Sequence, residues 1–329
     1  MYVVILMVLS SDAGSTPAIS TKTRSPVPRG SVFVEAEQTV NTTGPIHRME
    51  LLITFTKASG AGNDFVLIND FSGSLDVDFP QLARVVCDRH FGVGADGLLV
   101  LGKSSRADYS MLYYNADGSW GGMCGNGGRC IARFALREKI AGSHQKFEAL
   151  DFLYEASVGP ELVILHMKDP VAFRPEFPID VGDAVVPAFF LDTGAPHVVT
   201  FVIDSVFPDV ERMGRDIRHH AMFRPEGTNV NFAALRPANM VELRTYERGV
   251  EAETLACGTG SVASALVAAH RFSLTSPVTV RVRSGEELKV HFSGTKGAWT
   301  NVRLEGSAHL LYTGTLCYST DPPSIRMKA

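Results

Sequence analysis

From Leu51 onward the apolar and polar positions fall into short alternating runs broken by Gly, Pro, Asn and Asp, a pattern that predicts many strands and few helices. Leu51 to Lys57 and Phe65 to Asn69 predict two strands around the turn Ser59 to Asp64. Asp78-Phe79-Pro80 opens a helix with apolar positions at Leu82, Val85 and Val86 that ends near His90. Gly92 to Gly97 is a loop feeding a strand at Leu98 to Leu101, and Asp108 to Asn115 is the next strand. Further strands are expected near Phe147 to Tyr154 and Glu161 to Met167. The proline-punctuated stretch Asp169 to Pro178 reads as a domain boundary. Beyond it come strands at Ala184 to Asp192 and His197 to Val202, then a helix at Val210 to His219. Strands at Thr228 to Ala234 and Val241 to Tyr246 precede a helix at Gly258 to His270. Val278 to Val282, Leu288 to Phe292 and Ala308 to Leu316 close the chain.

One stretch organises this pattern. Tyr113 to Ala135 runs from a strand through a polar turn into glycine-rich backbone, and it delivers Cys124 just ahead of a helix starting near Gly128. Gly125, Asn126, Gly127 and Gly128 present unhindered N–H groups there, at the positive end of the helix dipole. A thiol in that position is expected to ionise more readily than a free cysteine. Thr254 to Ala265 repeats the arrangement 133 positions later, with Cys257 before Gly258-Thr259-Gly260. Each helix carries small residues, Ala132 and Ala135 in the first, Ala263, Ala265, Ala268 and Ala269 in the second, which suit a helix enclosed by a curved sheet. The order of elements around both cysteines predicts an internal duplication, with the two helix ends facing one cleft.

Composition narrows the class without changing this picture. The chain has 329 residues, enough for two domains, with 45% hydrophobic residues, 20% charged residues and a net charge of −4. No basic run marks a nucleic-acid or membrane surface. Five cysteines without a Cys-x-x-Cys pair argue for a reducing compartment and against a disulfide scaffold. The apolar run Tyr2 to Leu9 is far short of the roughly 20 residues that span a bilayer. Residues 1–48 are rich in Ser, Thr and Pro. They are expected to be a disordered tail or an upstream translation artefact, with Met49 the functional start and the Asn41 sequon fortuitous.

Two facing thiols suggest a chemistry. Inverting a stereocentre without a cofactor needs one acid/base group on each face of the carbon, here one thiolate and one thiol. The charge that grows on the substrate carboxylate needs fixed donors, which glycine-rich helix N-termini provide. No complete dinucleotide, P-loop or metalloprotease motif occurs.

The motifs G-A-G-N-D-F, F-G-V-G-A-D-G, N-A-D-G-S-x4-C-G-N-G-x-R-C, G-x-P-H, G-T-N-V-N-F and Y-E-R-G-x5-L-A-C-G-T-G together resemble diaminopimelate epimerase, over about Leu51 to Leu316. The resemblance implies an isomerase that needs no cofactor or metal and interconverts L,L- and meso-diaminopimelate in lysine and peptidoglycan biosynthesis, in the cytoplasm. It implies a mixed α/β (α+β) fold of two pseudo-symmetric domains, each a curved, mostly antiparallel sheet or barrel wrapped around a central helix, with the active site in the cleft between them. The expected halves are residues 49–172, to which a final strand at 309–317 returns, and residues 173–308. By the same match Cys124 and Cys257 shuttle the protons, and His197 and Glu247 support them. Asn63, Asn115, Gly125, Asn126, Asn229, Glu247, Arg248, Gly258 and Thr259 bind substrate. Arg248 is independently the forked donor a distal carboxylate needs. The only partner expected is the small-molecule substrate, with no nucleic acid and no membrane, and a homodimer is the expected assembly. Three departures stand out: Gly97 where many members carry Gln, Ala195 where many carry Asn, and a Glu247 to Cys257 segment one residue longer.

Blander readings attach to the other candidates. Cys87, Cys130 and Cys317 read as structural thiols. Arg129, Arg133 and Arg137 read as a solvated helix face, and Glu247 with Arg248 could be a plain ion pair. The competing functions are another two-cysteine racemase, of the proline or hydroxyproline type, a non-catalytic amino-acid-binding protein, and a thiol redox protein.

Overall fold

A computed structural model describes residues 50–182, 184–202, 206–295, 297–320 and 322–328. The expected extension over residues 1–48, the Met49 start and the Asn41 sequon lie outside the described residues.

The chain begins with a hairpin, β1 (Glu50–Gly60) and β2 (Asn63–Asp70), and crosses by α1 (Phe79–Val86) to β3 (Gly97–Gly102), parallel to β2. β4 (Tyr109–Asn115) pairs antiparallel with β3 and leads into α2 (Gly125–Arg137). β5 (His144–Ala149) returns parallel to β4, and β6 (Phe152–Val158) and β7 (Leu162–His166) follow antiparallel. β8 (Val171–Asp180) then pairs with β9 (Val185–Asp192). From β9 the same order recurs. β10 (Pro196–Phe201) is antiparallel to β9, and α3 (Val210–Arg218), with one 3-10 turn at Ala221–Phe223, crosses to β11 (Asn229–Arg236), parallel to β10. β12 (Met240–Glu247) pairs antiparallel with β11, and short β13 (Ala252–Thr254) precedes α4 (Gly258–Phe272). β14 (Val278–Arg281) runs parallel to β12, then β15 (Glu287–Thr295) and β16 (Ala298–Ser307) follow antiparallel. β17 (His309–Thr320) pairs with β1, and β18 (Pro323–Met327) with β17.

The repeat is therefore one of pairing as well as of order. β8 stands to β9 as β17 stands to β1, and the β7–β16 ladder joins the two halves into one sheet system, of 18 strands among the described residues.

Burial explains the helix sequences. α4 is apolar or small all round, and its residues Val262, Ala263, Ala265, Leu266, Val267 and Ala268 are fully buried, as an enclosed helix requires. α2 contributes Cys130, Ile131, Ala132, Phe134 and Ala135 to the same core, which also holds Leu99, Phe147, Leu288 and Leu304. α1 and α3 instead cover outer faces. Leu82, Ala83 and Val86 of α1 pack on Ile53, Val66, Ile68 and Leu98; Val210 and Ile217 of α3 pack on Val198, Val230 and Phe232. Each such fully buried aliphatic side chain contributes about 1.5–3 kcal/mol.

Some expectations shift. α1 stops at Val86, not near His90, because Val93 and Gly94 N–H groups take its last carbonyl and the Asp88 carboxylate turns the chain by accepting from His90 and Phe91. The expected strand Phe147 to Tyr154 is two strands about a turn in which Leu150 has φ 55°. The stretch Asp169 to Pro178, expected as a boundary, holds most of β8. β16 was not expected from the pattern at all: Asn301 has φ 53°, so the buried side chains Trp299, Val302 and Leu304 lose strict alternation. Arg129 is not on a solvated face; it is fully buried, while Arg133 is half-buried and only Arg137 is exposed as expected.

Candidate active site

Cys124 is the N-cap residue of α2 and Cys257 the N-cap residue of α4. The extended backbone at each cysteine (φ −114° and −124°) turns into the helix at Gly125 and Gly258. These two glycines bring the helix ends together. A Cβ placed on Gly258 would lie 3.4 Å from the Gly125 Cα, and one on Gly125 would lie 3.7 Å from the Gly258 Cα. A single Cβ on either glycine would already touch the other helix end, so a larger side chain has no room there. The duplicated halves thus juxtapose the two thiol-bearing turns.

The electrostatics differ from the sequence expectation. Burial pushes the Cys124 thiol up to about 11, against the opposing effect of the Gly127 N–H, which donates to Sγ at 3.4 Å. Burial also raises Cys257, and the negative charge of Glu247 adds to the rise. Desolvation, which disfavours a charged sulfur, outweighs the helix dipole here. Ionised Cys124 opposes ionisation of Cys257, so the pair favours at most one thiolate.

Around Cys257 the second half builds a polar chain. His197 on β10 is fully buried and lies opposite Asn229 in the parallel β10–β11 ladder. Two residues on, Asn231 donates to His197 Nδ1 at 3.0 Å and to the Val198 carbonyl at 2.9 Å. A carbonyl can only accept, so the amide orientation is fixed and Nδ1 is the acceptor nitrogen. His197 Nε2–H then donates to Thr259 Oγ1 at 2.9 Å, and Thr259 Oγ1 lies 3.5 Å from Cys257 Sγ. Burial, helped by the charge of Arg248, lowers His197 to about 3, so the ring is neutral.

Asn229 fastens this corner to β12. Its Oδ1 accepts from the Arg248 N–H at 2.9 Å and its Nδ2 donates to the Pro196 carbonyl at 3.0 Å. Arg248 is half-buried, and among the described residues its guanidinium makes no ion pair, so the plain Glu247–Arg248 pair is not formed. Burial pushes the Glu247 carboxyl up to about 7, with a further rise from Asp96.

The first half supplies a second chain, leading to Cys124. Asp96 accepts from Asn63 Nδ2 at 3.0 Å; Asn63 Oδ1 accepts from Asn126 at 2.6 Å; Asn126 Oδ1 accepts from Arg129 at 2.9 Å. Asp64 ties Lys57 (2.7 Å) and Arg89 (2.8 Å) beneath it, and Arg89 bridges to Asp96 at 2.7 Å. Asn115 is engaged locally, donating to Ser119 Oγ at 3.0 Å.

The residues singled out from the sequence belong to one of these two chains or the turns between them, save Asn115, at the end of β4, and Glu247, at the end of β12. Asn231, Arg129 and the Asp64–Arg89–Asp96 cluster were missed. Asn231 follows Asn229 by two in a strand, so period-two reasoning would place both on one face. A separate open groove of about 700 Å³, lined by Arg133, Arg137 and Glu161 among others, includes neither thiol.

A fold of this kind, with paired helices bearing facing turns inside a repeated sheet, is that of the proline-racemase type. A solved probable proline racemase from Agrobacterium radiobacter K84 matches with TM-score 0.61 at 16% identity, covering 79% of this chain and 92% of that one. Within that fold class the sequence is more specific: the family model for diaminopimelate epimerase matches residues 55–151 and 189–308. The diaminopimelate epimerase of Chlorobaculum tepidum is 44% identical over 262 residues, 78% of this chain and 99% of that protein. That of Archaeoglobus fulgidus is 41% identical over 278 residues, 80% and 96% of the two chains. The chain belongs to the diaminopimelate epimerase family.

Proposed function

We propose that the protein epimerises L,L-diaminopimelate to the meso form by a two-base mechanism carried by Cys124 and Cys257, in lysine biosynthesis in the cytoplasm. The observation that carries this is the contact of the two helix ends at Gly125 and Gly258, each with a cysteine at its N-cap.

In this reading one thiolate removes the α-proton and the opposing thiol delivers a proton to the other face, so the two sulfurs exchange protonation states in each turnover. The raised thiol pKa values are functional: a desolvated thiolate is a stronger base towards a weakly acidic carbon than a water-exposed one. Mutual repulsion opposes a second ionisation, so the pair carries at most one thiolate at a time. The N–H groups of the two turns receive the substrate carboxylate as its charge grows. Arg248, which forms no ion pair among the described residues, would bind the distal carboxylate. Asn63, Asn115, Asn126, Asn229 and Glu247 complete substrate binding. The neutral His197, through Thr259, directs a hydrogen-bond donor at the Cys257 sulfur and favours its ionised form.

Incubating the purified protein with L,L-diaminopimelate tests this. Appearance of the meso isomer supports it; conversion of proline or hydroxyproline instead, or turnover of a disulfide substrate, overturns it.

A further inference from the structure

Tyr113 lies on β4, two residues before Asn115 and on the same face of the strand. Its ring is held on three sides. A Cβ on Gly97 would lie 2.5 Å from its Cε2, and a Cβ on Gly121 would lie 2.2 Å from its Cδ1. The Phe65 ring meets it edge-on with centroids 6.0 Å apart. Both glycines are thus obligatory for this placement, and Gly97 leaves to Tyr113 the space its own side chain would fill. The ring is locked, yet its hydroxyl makes no hydrogen bond within the described protein, unlike buried Tyr109, whose hydroxyl donates to Gln145 at 2.6 Å. Tyr113 is half-buried and its oxygen is not a buried unpaired atom, so it opens to space that a ligand can reach. Burial and the charges of Cys124, Glu247 and Asp96 all raise the Tyr113 pKa. Tyr113 and Cys124 pack against the same core, and the phenol stays protonated at neutral pH.

We infer that Tyr113 is a substrate-contacting residue whose hydroxyl donates a hydrogen bond to a carboxylate oxygen of the amino-acid substrate. The inference rests on the function proposed above for the class of substrate. The phenol is a neutral donor fixed before the ligand arrives, so it adds recognition without adding charge next to the thiols.

Tyr113→Phe removes one oxygen and keeps the packed ring. Because that oxygen has no protein partner, the variant should melt at the wild-type temperature. KM for L,L-diaminopimelate should rise about 10-fold or more, the usual effect of losing a hydrogen bond to a charged group, with kcat little changed. Calorimetric titration of L,L-diaminopimelate into Cys124→Ala and Cys124→Ala/Tyr113→Phe proteins gives the same comparison without turnover, and the double variant should bind more weakly by the same factor. Wild-type KM in Tyr113→Phe, with equal binding by the two titrated proteins, overturns the role of Tyr113 while leaving the epimerase reading intact. An inactive wild type whose Cys124→Ala form binds no diaminopimelate overturns both.

Discussion

At the scale of single residues, two groups in this site titrate in opposite senses. His197 is held neutral well below its ordinary value of 6.5, at about 3, so it contributes stability above pH 6.5 that is lost as pH falls towards 3. Glu247 is held protonated above its ordinary value of 4.5, at about 7, so its contribution is present below pH 4.5 and is lost as pH rises through 7. Between pH 4.5 and 6.5 the two slopes oppose each other. Glu247→Gln should therefore uncover the His197 dependence, and chemical denaturation across this window should show stability falling by up to about 1.4 kcal/mol per pH unit on acidification. A flat profile in the variant would contradict the buried neutral histidine. The cysteines give the more direct prediction. Cys124→Ala and Cys257→Ala should each reduce meso-diaminopimelate formation by at least about 10²-fold to 10⁴-fold, the usual contribution of an acid/base group. Diaminopimelate binding, read by calorimetry, should survive in both. An active single variant would refute a pair in which each sulfur serves one face.

At the scale of elements, the geometry depends on two helix ends and the strand behind one of them. Gly258→Val should force α4 away from α2, since even a Cβ at Gly258 would sit 3.2 Å from Leu304 Cδ2 and 3.4 Å from the Gly125 Cα. A shift of about 1 Å in a reacting group costs on the order of 100-fold in rate, and kcat for meso formation should fall on that scale while far-ultraviolet dichroism stays native. On β11, Asn231→Asp replaces a donor to His197 Nδ1 with an acceptor, which should move the ring hydrogen to Nδ1. Nitrogen NMR of the imidazole should report that change of tautomer, with kcat lowered; an unchanged tautomer would remove Asn231 from the account. These elements show what could be read beforehand. The glycine-rich cysteine turns, the central small-residue helices and the duplicated order of strands were legible because turn chemistry and burial write themselves into local pattern. β16 was not, because the positive φ at Asn301 breaks its alternation. Nor was the burial of Arg129, whose partners are the local Gly125 carbonyl and Asn126 together with the distant Ser307 carbonyl. The thiol pKa was misjudged for a related reason: the helix dipole is local and visible in sequence, whereas the desolvation that outweighs it comes from the enclosing fold.

At the scale of the whole molecule, duplication gives one chain two like thiol-bearing helix ends that meet at Gly125 and Gly258. The β7–β16 ladder, with β17 returning to β1, joins the halves through continuous strand pairing. The same proximity makes oxidation a hazard. Mild oxidation should join Cys124 to Cys257 and abolish epimerisation, and reductant should restore it; activity that requires the disulfide would instead favour a redox protein. The central claim, a separate acid/base group on each face, is tested most directly by running the reaction from L,L-diaminopimelate in deuterated water and analysing early time points by mass spectrometry. Meso product carrying one solvent deuterium at the inverted carbon, beside remaining substrate still free of deuterium, is the predicted result. Product that keeps its original hydrogen, as a single base returning its own proton would give, would contradict the account.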